Sequence, residues 1–121
     1  MTVKNVISRF KRLKPNQMST DDLLLWISNV DAAVCMEILQ PRTKDAVIQL
    51  PVYTAADDTE VLIPSPFLDA YMYYLAAMTD YWTQDTDGYN NNMFAYTTAF
   101  NNYRDYFNRS TAVQCRQGIM V

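Results

Sequence analysis

The chain has 121 residues and a formal net charge of −3, and half of its residues are apolar. That length supports one domain with a real core, and only two glycines argue against a turn-rich β architecture. No stretch approaches the ~18 uncharged apolar residues of a membrane span, so we expect no membrane partner. The first residues lack the apolar core of a signal peptide, which predicts synthesis in the cytoplasm.

Charge is distributed unevenly along the sequence. No acidic residue precedes Asp21, and five basic residues do: Lys4, Arg9, Lys11, Arg12 and Lys14. Between Asp21 and Asp87, twelve acidic residues stand against Arg42 and Lys44, which gives −10 for that stretch. The chain is therefore an electrical dipole along its sequence.

Two amphipathic helices are predicted first. Helix one runs from Thr2 to Leu13, with apolar residues at steps of three and four, and ends before Pro15 because the residue preceding a proline is pushed out of helical geometry. Ser19 caps helix two, which runs to about Leu39. Helix two is apolar nearly all round at residues 23–27, so we expect that end to be deeply buried or in an interface.

An arm at about residues 46–64 separates helix two from helix three. Its first part, Ala46 to Tyr53, is β-branched and contains Pro51, so any strand there is an edge strand. An acidic loop from Thr54 to Glu60 follows. Val61 to Ile63 is a second apolar run that could pair with the first.

The stretch from Leu62 to Phe107 predicts a helical hairpin. Ser65 and Pro66 suit the N-cap and the first residue of helix three, and the hairpin turn is expected at residues 86–88. Helix four continues its apolar stripe to Phe107. The expected seam is Tyr71, Leu75, Met78 and Trp82 against Met93, Tyr96, Phe100 and Tyr103. The outer face is rich in Asn, Thr and Tyr, which suits contact with other protein chains.

These elements predict a mostly α fold. It is a four-helix domain over residues 1–108, with an antiparallel C-terminal helical hairpin and a short extended or β arm between helices two and three. Residues 109–121 have no hydrophobic period, so we expect a flexible C-terminal tail.

The sequence offers no catalytic constellation. It has no histidine, and its two cysteines, Cys35 and Cys115, lie too far apart for a zinc motif and are expected to be free thiols. The acidic loop lacks the ligand pattern of an EF-hand, so we interpret it as solvated. Asp80 and Asp85 are expected to be exposed. The prediction is a protein that is not an enzyme and holds no cofactor or metal.

A longer pattern runs through the hairpin. Its residues are Leu62-Ile63-Pro64-Ser65-Pro66, then Tyr71, Tyr73, Tyr74, Leu75, Ala77, Asp80 and Tyr81, then Tyr89-Asn90-Asn91 and Met93. This pattern resembles the head–tail connector, or adaptor, proteins of tailed phages and prophages. The likeness extends weakly to residues 3–13 and 22–38, so it covers most of the chain.

The resemblance implies a virion protein made in the cytoplasm of a bacterial host. It implies a ring, typically of twelve copies, at the head–tail junction. The expected partners are other copies, the portal protein, the next tail-side connector or stopper protein, and genomic DNA that passes without sequence-specific contact. The alternative left open by the residues is a small helical DNA-binding or regulatory protein that uses basic helix one.

Two groups of candidate residues follow. The interface candidates are Lys4, Arg9, Lys11, Arg12, Tyr73, Tyr74 and Tyr81, because they combine charge or aromatic surface with helical spacing. The portal-docking candidates in the tail are Cys115, Ile119, Met120 and Val121, because apolar residues at a terminus are better covered than exposed.

Overall fold

The computed structural model describes residues 1–15, 18–39 and 49–120, the last ten of these as helix backbone alone. Its elements in chain order are α1 (Val3–Leu13), α2 (Thr20–Val34), a π-helical segment (Cys35–Leu39), α3 (Asp69–Trp82) and α4 (Thr86–Met120). No β-strand occurs in these residues, although one isolated antiparallel bridge joins Thr2 to Glu60. The predicted mostly helical fold with four helices is confirmed.

Hydroxyl side chains begin the first two helices. The Oγ1 of Thr2 accepts a hydrogen bond from the N–H of Asn5 at 3.2 Å, and the Oγ of Ser19 accepts one from the N–H of Asp22 at 3.1 Å. Each cap satisfies one of the backbone donors that a helix leaves unpaired at its start. The predicted cap of α2 is therefore confirmed.

The core lies where α1, α2 and α3 meet. Its least exposed large side chains come from all three helices and the segments beside them: Val3, Val6, Phe10, Leu23, Ile27, Val30, Val34, Ile38, Ile63, Tyr71 and Leu75. The predicted burial around residues 23–27 holds for four of the five positions, because Leu25 is 56% exposed. One apolar side chain of α2 therefore points into solvent.

The acidic loop lies against the start of α1. The carbonyl of Thr59 accepts a hydrogen bond from the N–H of Val3 at 2.9 Å, and the carbonyl of Asp57 accepts one from the N–H of Lys4 at 3.0 Å. These N–H groups have no acceptor within the helix, so the loop supplies one. The possible pairing of residues 61–63 with residues 46–53 is not seen for residues 49–53, and residues 46–48 lie outside the described residues.

Helices α3 and α4 form the predicted antiparallel hairpin. Three ring pairs mark the register of α3, and of Phe67 just before it, against α4, with centroids 5.0 to 5.7 Å apart: Tyr81–Tyr89, Tyr74–Tyr96 and Phe67–Tyr103. Residue numbers fall along α3 as their partners' numbers rise along α4, as antiparallel packing requires. The hairpin therefore has an aromatic seam.

Two boundaries of the hairpin differ from the prediction. Helix α3 begins at Asp69 and not at Pro66, because the preceding residues form turns in which the N–H of Phe67 donates to the carbonyl of Pro64 at 2.9 Å. The turn lies at residues 83–85 and not at 86–88, because the Oδ1 of Asp85 accepts from the N–H of Gly88 at 2.9 Å and caps α4.

Helix α4 is also longer than predicted. Its backbone continues to Met120, whereas the loss of apolar period predicts an end near Asn108. No proline or glycine interrupts residues 109–117, so helical hydrogen bonding can continue without an apolar stripe. The expected tail of residues 109–121 therefore begins inside α4.

Candidate interaction surfaces

One buried carboxylate holds the arm against the helices. Asp31 on α2 is 0% exposed and accepts hydrogen bonds from the hydroxyl of Tyr71 at 2.5 Å, from the hydroxyl of Tyr53, and from the N–H of Leu62 at 3.2 Å. The Tyr71 hydroxyl in turn accepts a hydrogen bond from the N–H of Ile63 at 2.9 Å. The arm is thus tied to α2 and α3 at two places along its length.

Burial and hydrogen bonding act in opposite directions on this carboxyl group. Burial raises the pKa of Asp31, while the hydrogen bonds from Tyr53, Tyr71 and Leu62 favour its charged form and lower it. Burial also raises the pKa of Tyr71, and the neighbouring Asp31 raises it further, so the phenol keeps the proton that it donates. Because Asp31 is sealed from solvent, we interpret the group as structural.

The sequence analysis missed Asp31. Ile27, Asp31 and Val34 recur at steps of four and three, so an acid occupies the apolar stripe of α2. A carboxylate in such a stripe needs hydrogen-bond donors, and tyrosines further along the chain can provide them. That pattern was the signal available in the sequence.

A second carboxylate, Asp80, joins three helices. The Nζ of Lys14 lies 2.5 Å from its Oδ1, and the Nδ2 of Asn92 donates to its Oδ2 at 2.7 Å. Asp80 is only 3% exposed, so the prediction that it is exposed is wrong: the end of α1 and the face of α4 cover it. A Cβ atom at Gly88 would lie 2.6 Å from Asp80 Oδ2, so any larger residue there would force this carboxylate to shift.

The basic candidates of α1 lie mainly on its outer side. Lys4, Lys11 and Arg12 are exposed, whereas Arg9 is partly buried and its Nε has no hydrogen-bond partner among the described residues. The Nζ of Lys11 lies 3.4 Å from the Oγ1 of Thr20, beside the first turn of α2. Three of the four candidates are therefore accessible to a partner.

The tyrosine candidates have different environments. Tyr73 is 37% exposed and Tyr81 is 56% exposed. Tyr74 is partly buried, with its ring 5.0 Å from that of Tyr96 in the hairpin seam. The ring of Tyr74 is thus already packed within the chain, which leaves Tyr73 and Tyr81 as surface groups.

Two rings that the sequence assigned to apolar stripes are more exposed than the tyrosines. Trp82 is 63% exposed, which contradicts its predicted place in the hairpin seam, and Phe94 is 76% exposed. Trp82 is the last residue of α3, where the chain turns towards α4, so the neighbouring helix does not cover it. Helical spacing alone could not reveal this end effect.

An open groove of about 400 Å³ runs between α3 and α4. Its lining includes Asp69, Tyr73, Phe94 and Asn102. We call it the hairpin groove. It combines two exposed rings with polar groups, which is the composition of a protein contact surface.

A second open groove, of about 440 Å³, lies where α2 meets the end of α3. It is lined by Met18, Asp22, Leu25, Trp26 and Trp82. We call it the α2 groove. Exposed Leu25 and Trp82 form its apolar rim.

The predicted docking residues of the tail are described only in part. Cys115, Ile119 and Met120 lie within the backbone of α4, and Val121 lies outside the described residues. Their role in docking remains a prediction.

Neither a metal centre nor a membrane helix is found in the described ranges. Within residues 1–15, 18–39 and 49–120, no three His, Cys, Asp or Glu side chains converge to hold a metal ion. Over the same part of the chain, none of the helices combines the length and the apolar character needed to cross a membrane.

Comparison with protein-family models, with curated proteins and with solved structures finds no match for this chain. Its function must therefore be argued from its own surfaces and from the sequence pattern of the hairpin.

Proposed function

We propose that this chain is a structural subunit of a phage head–tail connector, which assembles as a ring on the portal and extends the DNA channel. Its place would be the head–tail junction of the virion, between the portal protein and the next tail-side connector or stopper protein. In this role the chain acts by contact and catalyses no reaction. The sequence pattern of the hairpin supports this assignment.

One observation carries the proposal: several large aromatic side chains of the helical hairpin are exposed to solvent. Phe94, Trp82 and Tyr81 are each more than half exposed. Isolated exposed apolar residues are ordinary, but several rings on one hairpin, set among neutral polar residues, are typical of surfaces that bind other proteins. A ring subunit needs such surfaces for its neighbours, for the portal and for the next component.

The charge distribution is compatible with a ring through which DNA passes. Basic α1 supplies one side of each contact between copies, since Lys11 and Arg12 are exposed and can approach the acidic middle of a neighbouring copy. A channel wall that is acidic or neutral gains nothing from counterion release, so DNA would pass without adhering.

The direct test is binding to the portal ring encoded by the same phage or prophage genome, followed by co-sedimentation. Reversing Lys11 and Arg12 to Glu should abolish assembly and leave the helical circular-dichroism signal and melting temperature unchanged. The matched control exchanges Lys11→Arg and Arg12→Lys, which preserves both charges and should assemble as the wild type does. Equal assembly by both variants would show that α1 is not part of the interface between copies.

The docking role of the tail has its own test. Truncation after Asn108 removes the last part of α4, which has no apolar stripe. The shortened chain should keep its melting temperature and lose portal binding. If it binds the portal with unchanged affinity, the docking contact lies on the remaining helices.

The exposed basic face of α1 supports one alternative function, that of a small DNA-binding or regulatory protein. Lys4, Lys11 and Arg12 could contact phosphates, and such binding weakens steeply with salt. A duplex that shifts at ~50 mM salt and is released near ~200 mM would favour this alternative. Absence of a shift at low salt would discard it.

A further inference from the structure

We propose that the tip of the helical hairpin binds a basic segment of another protein, whose arginine side chain enters a pocket between the end of α3 and the start of α4. This open pocket has a volume of about 370 Å³. Its lining includes aromatic, carboxylate and amide side chains: Asp80, Tyr81, Gln84, Asp85, Tyr89 and Asn90. We call it the tip pocket. The inference goes beyond the connector proposal and does not depend on it, because it is tested on this chain alone.

Two tyrosine rings line the tip pocket. The ring centroids of Tyr81 and Tyr89 are 5.7 Å apart and their planes meet at 54°, so the rings do not stack face to face. Tyr81 is more than half exposed and Tyr89 is partly buried. A cation within about 6 Å of the centre of a tyrosine ring is attracted to the negative face of the ring. The two rings therefore offer a cationic side chain both apolar surface and electrostatic attraction.

Two carboxylates lie close together in the same pocket. The Oδ2 atoms of Asp80 and Asp85 lie 2.6 Å and 2.7 Å from the point that a Cβ atom would occupy at Gly88. Asp80 is already paired with Lys14 and Asn92. Asp85 is exposed, and within the described residues only its Oδ1 accepts a hydrogen bond, from the N–H of Gly88 at 2.9 Å. The Oδ2 of Asp85 is thus available to a donor from outside the chain.

The charges around the tip pocket complement a basic partner. Residues 45–103 contain no lysine and no arginine. Lys14 reaches the pocket from α1 and balances the charge of Asp80. In the part of the chain that the structure describes, no ion pair involves Asp85 or the neighbouring Asp87. A basic side chain from a partner would supply the opposite charge that these two carboxylates lack.

Arginine suits this combination of groups better than lysine does. A guanidinium group is planar and weakly hydrated, so it can stack on a tyrosine ring while its N–H groups donate to a carboxylate. The side-chain carbonyls of Gln84 and Asn90 provide further acceptors for its five N–H groups. The lysine ammonium is a strongly hydrated point charge, so it loses more on leaving water.

The basic helix α1 of a second copy is a poor occupant for the tip pocket. The Nζ of Lys14, at the end of α1, already lies against Asp80 in the pocket lining. A second α1 at this place would bring its own basic residues towards the α1 that is already there, and like charges repel. A segment of another protein that presents one arginine meets less of this repulsion.

The experiment follows the backbone N–H of Gly88 by two-dimensional ¹⁵N NMR while a blocked tripeptide is added to the full chain. Because this N–H donates to Asp85, its chemical shift reports on that carboxylate. One tripeptide has arginine at its centre, and the second has citrulline, which has nearly the same shape and no charge. Asp85→Asn removes the charge and keeps a residue that caps helices well. Asp69→Asn is its matched control, because Asp69 begins α3 and does not line the tip pocket.

A second pair of variants tests the rings. Tyr81→Leu removes a ring from the tip pocket, and Tyr73→Leu makes the same change at an exposed position of α3 outside it. Both variants keep an apolar side chain, so a difference between them reports on the tyrosine ring in the pocket.

The arginine tripeptide should shift the Gly88 resonance with a dissociation constant on the order of 1 mM, that of a very weak complex. The citrulline tripeptide, and the arginine tripeptide with Asp85→Asn, should bind about tenfold more weakly or worse, because a charged hydrogen bond is lost. Tyr81→Leu should weaken binding about two- to fivefold. Asp69→Asn and Tyr73→Leu should bind as the wild type does.

The inference is overturned if the Gly88 resonance does not move at about 10 mM arginine tripeptide, ten times the expected dissociation constant. It is also overturned if the citrulline tripeptide binds equally well, or if Asp69→Asn weakens binding as much as Asp85→Asn does. Two other occupants would be recognised by separate measurements. A Gly88 shift that magnesium chloride alone saturates would identify a divalent-cation site, and self-association in sedimentation velocity that Asp85→Asn abolishes would identify a second copy. Either result would overturn the inference.

Discussion

Removing the hydroxyl of Tyr71 should destabilise the fold more than removing any other tyrosine hydroxyl at the Asp31 site. The Tyr71→Phe change deletes a hydrogen bond to a buried carboxylate, worth about 1.5–3 kcal/mol, and leaves the buried N–H of Ile63 without its acceptor, which costs about 1–3 kcal/mol. Protonation of Asp31 limits the loss, so we expect about 3–5 kcal/mol. Tyr53→Phe deletes one hydrogen bond at a half-buried site that water can reach, so we expect about 1 kcal/mol.

Urea denaturation followed by circular dichroism measures both losses. Tyr73→Phe is the control, because its ring lies at the surface and the change should be within about 0.5 kcal/mol. The order of loss should be Tyr71→Phe, then Tyr53→Phe, then Tyr73→Phe. If Tyr71→Phe is no more costly than the control, the Asp31 site does not hold the arm, and the reasoning from buried hydrogen bonds is refuted.

Four further outcomes are expected. Phe100→Ala should lower stability by about 3–5 kcal/mol, because the ring is 4% exposed; an unchanged melting temperature would remove it from the core. Gln84→Gly should raise stability by up to about 1 kcal/mol in urea titrations, because Gln84 lies two residues past the end of α3 in the left-handed region at φ 63°, and a loss would contradict this. Gly88→Ala should lower it by about 1–3 kcal/mol, since the new Cβ meets Asp80; an unaltered unfolding midpoint would mean that the carboxylate moves aside freely. The pKa of Asp31 is raised in the fold, so this group stabilises the folded state below its ordinary pKa of 3.8, and that stabilisation is lost as pH rises through the raised pKa. The free energy of unfolding of the Asp31→Asn variant should lack this pH dependence, and parallel curves of unfolding free energy against pH for the two proteins would contradict the prediction.

The helices and the seam of the hairpin could be predicted because they depend on local spacing. Apolar residues at steps of three and four identified α1 and α2, and Ser19 was recognisable as a cap because its hydroxyl acts within one turn. Tyr71 and Phe100 were expected in the core and are buried there.

The structure differs from the prediction at residues whose burial depends on contacts between distant parts of the chain. From the sequence alone, Asp80 is expected on the exposed face of a helix. In the fold, Lys14 and Asn92 contact its carboxylate and cover it. Trp82 fits the apolar stripe but extends beyond the cover of α4. Asp31 required donors from the arm and α3, and no local pattern indicates which tyrosines approach it.

Only the chemical character of the surfaces could be predicted from the sequence, not their shape. The composition of the hairpin indicated aromatic contact surface, and Tyr73 and Tyr81 are exposed as that requires. Tyr73 lines the hairpin groove and Trp82 lines the α2 groove, and these positions depend on where the hairpin turns and on how α2 packs against the end of α3. Those are properties of the folded chain.

The connector proposal is tested most directly by electron cryomicroscopy of this chain mixed with its portal ring. The account predicts a closed ring of copies on one face of the portal, coaxial with its channel. Portal particles that carry no added density, from a mixture in which this chain remains monomeric, would contradict it.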